Sequence, residues 1–254
     1  MNKKEKIIGI LGGMGPEAGV MMQRYINQSA KAILHTKHDA DFPDVLHFSM
    51  PKHLPDRTNF LIGLEAENPA IEAAKQALFL AHIGQQLGKD VIACVACDTF
   101  HASAIWQLFC KNIQACDNLT MVHMVDETIQ ELKDFLAPPA KIAIFGTIGG
   151  LKEKIYESRL VPLGYEITPL TFHQQQDIHK AIYDPHNGLK AHSMATDFAI
   201  KLVENVTASL KEQNVQKIIL GCTELSLIIS STHDELFLDP MMTVANRLVH
   251  LYAE

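Results

Sequence analysis

Apolar positions along the chain fall into short continuous runs, separated by longer stretches in which they recur every three to four residues. The short runs have the length of buried strands and the longer stretches have the period of helices. "KIIGILG" (6–12) predicts a first strand and 17–33 a helix after it. A second strand is predicted at 44–50, a helix at 68–88 between Pro69 and Gly88, and a third strand at 90–97. In the second half, strands are predicted at 120–125, 141–146, 165–170, 216–222 and 235–240. Helices are predicted at 126–136 with Asp126 as N-cap, near 151–161, over about 189–213, and at the C-terminal end. Pro138-Pro139 ends the helix before them. Alternation of this kind predicts an α/β fold with parallel sheets.

The two halves echo each other. "KIIGILGGMG" resembles "KIAIFGTIGG": each is an apolar strand running into a glycine-rich turn that opens a helix. "DVIACVACDT" resembles "KIILGCTE": each is an apolar strand ending in cysteine, then threonine or Asp-Thr. This predicts two pseudosymmetric lobes, each a mainly parallel sheet flanked by helices, with the site in the cleft between them. Residues 1–117 plus 228–254 are expected in the N-terminal lobe and 118–227 in the C-terminal lobe, with crossovers near 115–120 and 225–232. Ligands in open α/β sheets bind at the carboxyl ends of the strands, which is where both cysteines lie.

Composition narrows the field. The 254 residues are 47% hydrophobic and 20% charged, as in a globular protein with a sizeable core. A net charge of −7 argues against nucleic acid as a partner, because phosphate binding needs a basic surface. No apolar run reaches the length of a membrane span. The basic start would suit a secretory signal, but "IIGILGG" passes straight into a glycine turn with no small-residue cleavage pattern. Five unevenly spaced cysteines make a poor disulfide framework and point to free thiols in a reducing cytoplasm.

Two opposed thiols can invert a carbon acid, one taking a proton from one face and the other returning one. A free thiol pKa near 8.5 is close enough to neutrality for neighbours to tune. A strand-end cysteine is on its own more often a small core residue. It is the repetition at Cys97 and Cys222 that favours chemistry. Cys94 and Cys97 have Cys-x-x-Cys spacing, but residues i and i+3 of a strand face opposite ways, so Cys94 is expected in the core. No second pair at ligand spacing suggests a metal site. Cys110 and Cys116 are expected to be structural or exposed. "LGGMG" also suits a phosphate loop, but the G-x-G-x-x-G pattern is incomplete and Glu17 would oppose a phosphate.

"GILGGMGPEA" (9–18), "PDRT" (55–58), "CDTFH" (97–101) and "LGCTEL" (220–225), in this order, resemble the aspartate/glutamate racemase family. The resemblance runs through nearly the whole chain. It implies cofactor-independent amino-acid racemisation with Cys97 and Cys222 as paired acid/base thiols, without metal. It implies Glu224 and His101 as residues assisting the thiols. Thr99, Thr147 and Thr223 are implied as carboxylate-holding positions, Arg57 as the guanidinium that grips the substrate's side-chain carboxylate, and Gly13 and Met14 as the loop closing the floor. A small-molecule substrate, aspartate, glutamate or a related amino acid, and a homodimer are further implications.

Four positions depart from the family pattern. Asp98 stands where asparagine is usual, Phe100 where a small residue is usual, Gly150 where threonine is common, and Gly19 likewise. An ionised Asp98 would only accept hydrogen bonds, would raise the neighbouring thiol, and would repel a carboxylate or attract an ammonium. The four together predict a substrate other than the usual dicarboxylates, or slow turnover. The alternatives are a related reaction of the hydantoin racemase, maleate isomerase or decarboxylase type, or an amino-acid-binding protein without turnover.

Overall fold

The structure is a computed structural model, describing residues 4–229 and 235–254. Part of the crossover expected at 225–232 lies outside the described residues. The first half contains β1 (Lys6–Gly12), α1 (Pro16–Ile33), β2 (Val45–Ser49), α2 (Arg57–Ile62), α3 (Ala70–Leu87), β3 (Asp90–Val95), α4 (Ser103–Ile113), β4 (Leu119–Val122) and α5 (Met124–Phe135). The second contains β5 (Lys141–Gly146), α6 (Ile148–Lys152), α7 (Glu157–Leu160), β6 (Glu166–Ile167), α8 (Phe172–Tyr183), α9 (Asp197–Glu212), β7 (Lys217–Gly221), α10 (Ser226–Ile229), β8 (Phe237–Leu238) and α11 (Pro240–Ala253).

The strands form two four-stranded parallel sheets, ordered β2-β1-β3-β4 and β6-β5-β7-β8. The orders are equivalent strand for strand, which is the echo in the sequence made physical. The glycine-turn strands β1 and β5 pair directly with the cysteine-ending strands β3 and β7. Central parallel strands are covered on both faces, so they read as unbroken apolar runs. Val91 to Val95 and Ile218 to Leu220 are fully buried or nearly so. Helix α11 packs on α1 and α5, and its Met241, Val244 and Leu248 share a core cluster with Ile8, Ile10 and Met22. Among the described residues, no helix is long and apolar enough to cross a membrane.

Several elements differ from the sequence expectation. The helix expected over 189–213 begins only at Asp197, where Thr196 caps it by accepting from Ala199 N–H. Residues 184–196 instead form a strap over the cleft, with a short 3-10 turn at Leu189–Ala191. Helix α8 was not anticipated, although Thr171 and Gln174 form a reciprocal capping box at its start. The helix expected near 151–161 breaks into α6 and α7 around Lys154, whose φ is 51°. The strand expected at 120–125 stops at Val122. His123, not Asp126, caps α5, its side chain accepting from Asp126 N–H. Arg57 opens a short helix capped by Asp56, whose side chain accepts from Asn59 N–H.

Candidate active site

Cys97 lies two residues past the end of β3 and Cys222 directly follows β7, and each opens a 3-10 turn from extended backbone, at φ −163°, ψ 114° and φ −147°, ψ 122°. The matching geometry turns both thiols into one narrow pocket between the lobes. Met14, Arg57, Asp98, Thr99, Thr147, Thr223 and Glu224 line it with them, so the structure gathers most of the residues singled out from the sequence. Both thiols are buried, at 6% and 4% exposure.

The two thiols differ in surroundings. Cys222 Sγ donates to Glu224 Oε2 at 3.0 Å. Burial pushes that thiol well above its ordinary value, and the Glu224 carboxylate adds to the rise. Burial also raises Cys97, but there the Arg57 guanidinium pulls the other way, with Lys190 behind it. Cys97 is therefore the thiol that ionises more readily. Arg57 is anchored through Nη2 to Met14 O at 2.8 Å and Nη1 to Pro55 O at 3.2 Å, while its buried Nε has no hydrogen-bond partner.

Glu224 is ionised. Burial opposes its charge, but the Lys190 ammonium, the Cys222 thiol and the Gly15 N–H at 3.1 Å hold its pKa down to about 2. Lys190 bonds Glu224 Oε1 and lies 5.3 Å from the centre of the Tyr183 ring. Tyr183 Oη in turn reaches Asp56 Oδ2 at 3.3 Å and Thr58 Oγ1 at 3.4 Å. The sequence reading missed Lys190, Tyr183 and Thr58. The breakers Pro185 and Gly188 marked a loop there, but the long helical period after it drew Lys190 into a helix.

Thr99 and Thr147 meet across the cleft, Oγ1 to Oγ1 at 3.1 Å, and Thr147 also accepts from Gly150 N–H at 3.1 Å. Thr223 Oγ1 lies 3.4 Å from Glu224 Oε2. Gly13 is not among the lining residues. Its φ is +88°, and a Cβ there would stand 2.9 Å from Met50 N, so it serves close backbone packing beside the site. His101 lies behind Cys97 and does not face the pocket. Its Nε2 accepts from Met124 N–H at 3.3 Å, which leaves Nδ1 to donate to Cys97 O at 2.9 Å. Burial lowers His101 to about 4, so the ring is neutral and positions the backbone of Cys97.

Asp98 departs most from the expectation of a free negative charge. It is 1% exposed, and Tyr156 Oη donates to its Oδ1 while Oδ2 has no partner. Burial raises it to about 8 against the opposing Tyr156 bond, so near neutrality it is a carboxylic acid able to donate as well as accept. It thus carries the donor and acceptor capacity of asparagine. Phe100 adds no bulk to the pocket: it packs edge-on against Phe109 at 5.3 Å in the lobe's core. Gly19 also lies off the site, because a Cβ there would come 2.3 Å from His47 Nε2. The glycine makes room for that ring.

Among the described residues, no three His, Cys, Asp or Glu side chains are grouped to hold a metal ion. Residues 11–248 match the Asp/Glu/hydantoin racemase family. A broad specificity amino-acid racemase, RacX of Bacillus subtilis (strain 168), is 25% identical over 251 residues, covering 97% of this chain and 98% of that protein. The Picrophilus torridus aspartate racemase superposes with a TM-score of 0.79 at 22% identity, covering 98% of this chain and 94% of its own. Glutamate racemase isoform RacE1 of Bacillus anthracis superposes at 0.61 and 15% identity, covering 99% and 83%. The match over nearly the full length, on two lobes with paired strand-end thiols, places the chain in the Asp/Glu/hydantoin racemase family of isomerases.

Proposed function

We propose that the chain is an amino-acid racemase in which Cys97 and Cys222 act as opposed base and acid without an organic cofactor. The observation carrying this reading is that equivalent strands of two equivalent sheets bring one thiol each into a single buried pocket. In one direction the Cys97 thiolate takes the α-proton, and the Cys222 thiol returns one to the opposite face. In the other direction the roles exchange. Each proton transfer supplies about 10²–10⁴-fold. Arg57 takes a substrate carboxylate, for which its planar fork is suited. The Thr99–Thr147 hydroxyl pair and Thr223 stabilise charge developing on the α-carboxylate as the proton leaves. Glu224 orients Cys222 and favours its protonated form, while the Lys190 ammonium paired with Glu224 pulls the other way and eases the thiolate needed in the reverse direction.

The test is α-proton exchange in deuterated water over a panel of single-enantiomer amino acids, aspartate and glutamate included, followed by NMR and chiral chromatography. Wild type should exchange with inversion. Cys97→Ser and Cys222→Ser should each lose racemisation by at least about 10²-fold, with residual exchange confined to opposite enantiomers. Racemisation retained in either variant would remove the two-thiol reading.

A further inference from the structure

The echo between the lobes continues behind the thiols. Four positions after each cysteine stands a buried polar residue, His101 after Cys97 and Ser226 after Cys222. Each is bonded to the start of the helix that leaves the fourth strand of its sheet. In the first sheet β4 passes through His123 into α5, and His101 Nε2 accepts from Met124 N–H at 3.3 Å. In the second sheet β8 passes through Asp239 into α11, and Ser226 Oγ donates to Asp239 Oδ1 at 2.8 Å. Asp239 Oδ1 also accepts from Met241 N–H at 2.9 Å, which caps α11.

The two braces lead to different places. The one behind Cys97 stays within the first lobe. Asp239 instead stands where the chain leaves the second sheet for α11, which packs on α1. Its Oδ2 accepts from Tyr25 Oη of α1 at 3.0 Å. The brace behind Cys222 therefore runs from Ser226 through Asp239 into the lobe that carries Cys97. Gly15, the cap of α1, already reaches Glu224 on the same turn, so α1 holds the Cys222 turn at two points.

That turn depends on such contacts. The turn of Cys97 leads into the eleven-residue α4, but the turn of Cys222 leads into α10, which has four residues. A helical piece this short closes almost no hydrogen bonds of its own, so side-chain contacts decide where it lies.

We propose that Asp239 is a positioning residue for proton transfer at Cys222. Bonded to Ser226 and Tyr25, it fixes the second thiol relative to the first, the part that His101 plays for Cys97. This rests on the two-thiol reading and deepens it. Misplacing a reacting group by about 1 Å costs on the order of 10²-fold in rate.

The experiment uses Ser226→Ala, which leaves the Asp239 cap on α11 in place, beside Asp239→Ala and Asp239→Asn. Each is combined with Cys97→Ser, where Cys222 is the remaining thiol base, and with Cys222→Ser, where Cys97 is. The readout is kcat and KM for α-proton exchange in deuterated water, with both enantiomers of aspartate, glutamate, alanine and methionine. With Cys97→Ser, the Ser226→Ala change should lower kcat at least about tenfold and leave KM within about twofold. With Cys222→Ser, it should leave both constants within twofold. Asp239→Ala, if it folds, should behave as Ser226→Ala does. Asp239→Asn keeps an oxygen for Ser226 and Met241 and should recover kcat to within threefold of its parent. Equal losses in both backgrounds, or a loss in neither, would overturn the proposal, because a general loss of stability does not distinguish the thiols.

Timed labelling with iodoacetamide reads the brace without a substrate. Ser226→Ala alone should speed labelling of Cys222 at least fivefold and leave Cys97 within twofold. Equal changes at both thiols, or no change at Cys222, would overturn the brace. If wild type exchanges no amino acid, the racemase reading fails, and the labelling rates by themselves decide whether Asp239 holds Cys222.

Discussion

Glu224 sets the difference between the two thiols. It accepts from Cys222 and pairs with Lys190, whereas at Cys97 its charge is outweighed by those of Arg57 and Lys190. A buried carboxylate beside a thiol favours the protonated form, while a buried guanidinium favours the thiolate. A small haloacetamide should therefore label Cys97 before Cys222, and mass spectrometry of timed samples reads the order. Glu224→Gln should reverse it, since it removes the carboxylate that raises Cys222 and frees the ammonium that lowers it. The same variant should lose about 10²-fold or more in racemisation, most strongly in the direction where Cys222 gives the proton. The charge pairing also has a pH signature. The Glu224 carboxyl lies below its unfolded value of 4.5, so its contribution to stability is full above that value and fades as pH falls toward about 2. Acid denaturation curves of wild type and Glu224→Gln should accordingly converge as pH drops through this window.

Secondary-structure elements were legible in proportion to the chemistry that ends them. Helix α3 runs within two residues of its predicted ends because Gly88 closes it with φ +68°. Helix α9 was overextended at its start because apolar spacing continues upstream of its cap. Thr196 decides that boundary. Its Oγ1 accepts from Ala199 N–H at 3.2 Å and donates to Asn187 O at 2.6 Å, tying the helix start to the strap that carries Lys190. Thr196→Ala should cost about 1–2 kcal/mol in chemical denaturation and speed amide exchange across 184–196. Serine at this position should restore both, and an unchanged strap in the alanine variant would show that the cap acts on the helix alone. Near the same end, Ser193 Oγ donates to Glu17 Oε1 at 3.1 Å, a contact between halves that no local pattern announces.

At the scale of the whole molecule, function depends on the fit between lobes. Helices α2 and α6 touch at Gly149, where a Cβ would stand 2.9 Å from Thr58 Cα. Gly149→Val should force the lobes apart, costing about 1–3 kcal/mol as overpacking does. It should also cut kcat/KM at least tenfold, because 1 Å of misplacement costs far more in rate than in stability. The Asp98–Tyr156 bond is a second joint. Unfolded, Asp98 loses its proton near 3.8; folded, it keeps it to about 8. The folded state binds more protons between those values, so this group's contribution is full below about 3.8 and is lost as pH rises through about 8. Asp98→Asn keeps donor and acceptor without the titration. The melting temperature of Asp98→Asn relative to wild type should climb between pH 4 and 8, and a flat difference would show that Asp98 is already ionised.

Local pattern was enough to reveal the strands, the two similar halves and the two cysteines at equivalent ends, but not the edge strands' places: β4 pairs in the first sheet although 118–227 was expected in the second lobe, and β8 in the second although 228–254 was expected in the first. Burial makes central parallel strands continuously apolar, and a strand's carboxyl end is a fixed place in such folds. Tertiary structure decided everything that depends on which side chains meet. Asp98 reads as a charge in sequence and becomes a neutral acid through burial, which outweighs the bond from Tyr156, 58 positions away. Lys190 reads as a helix-surface cation and becomes the partner of Glu224. Gly19 and Phe100 read as changes in the site, and packing assigns them to His47 and to Phe109. A residue's ionisation and role follow from desolvation and from its contacts, and both are set by parts of the chain that no local window contains.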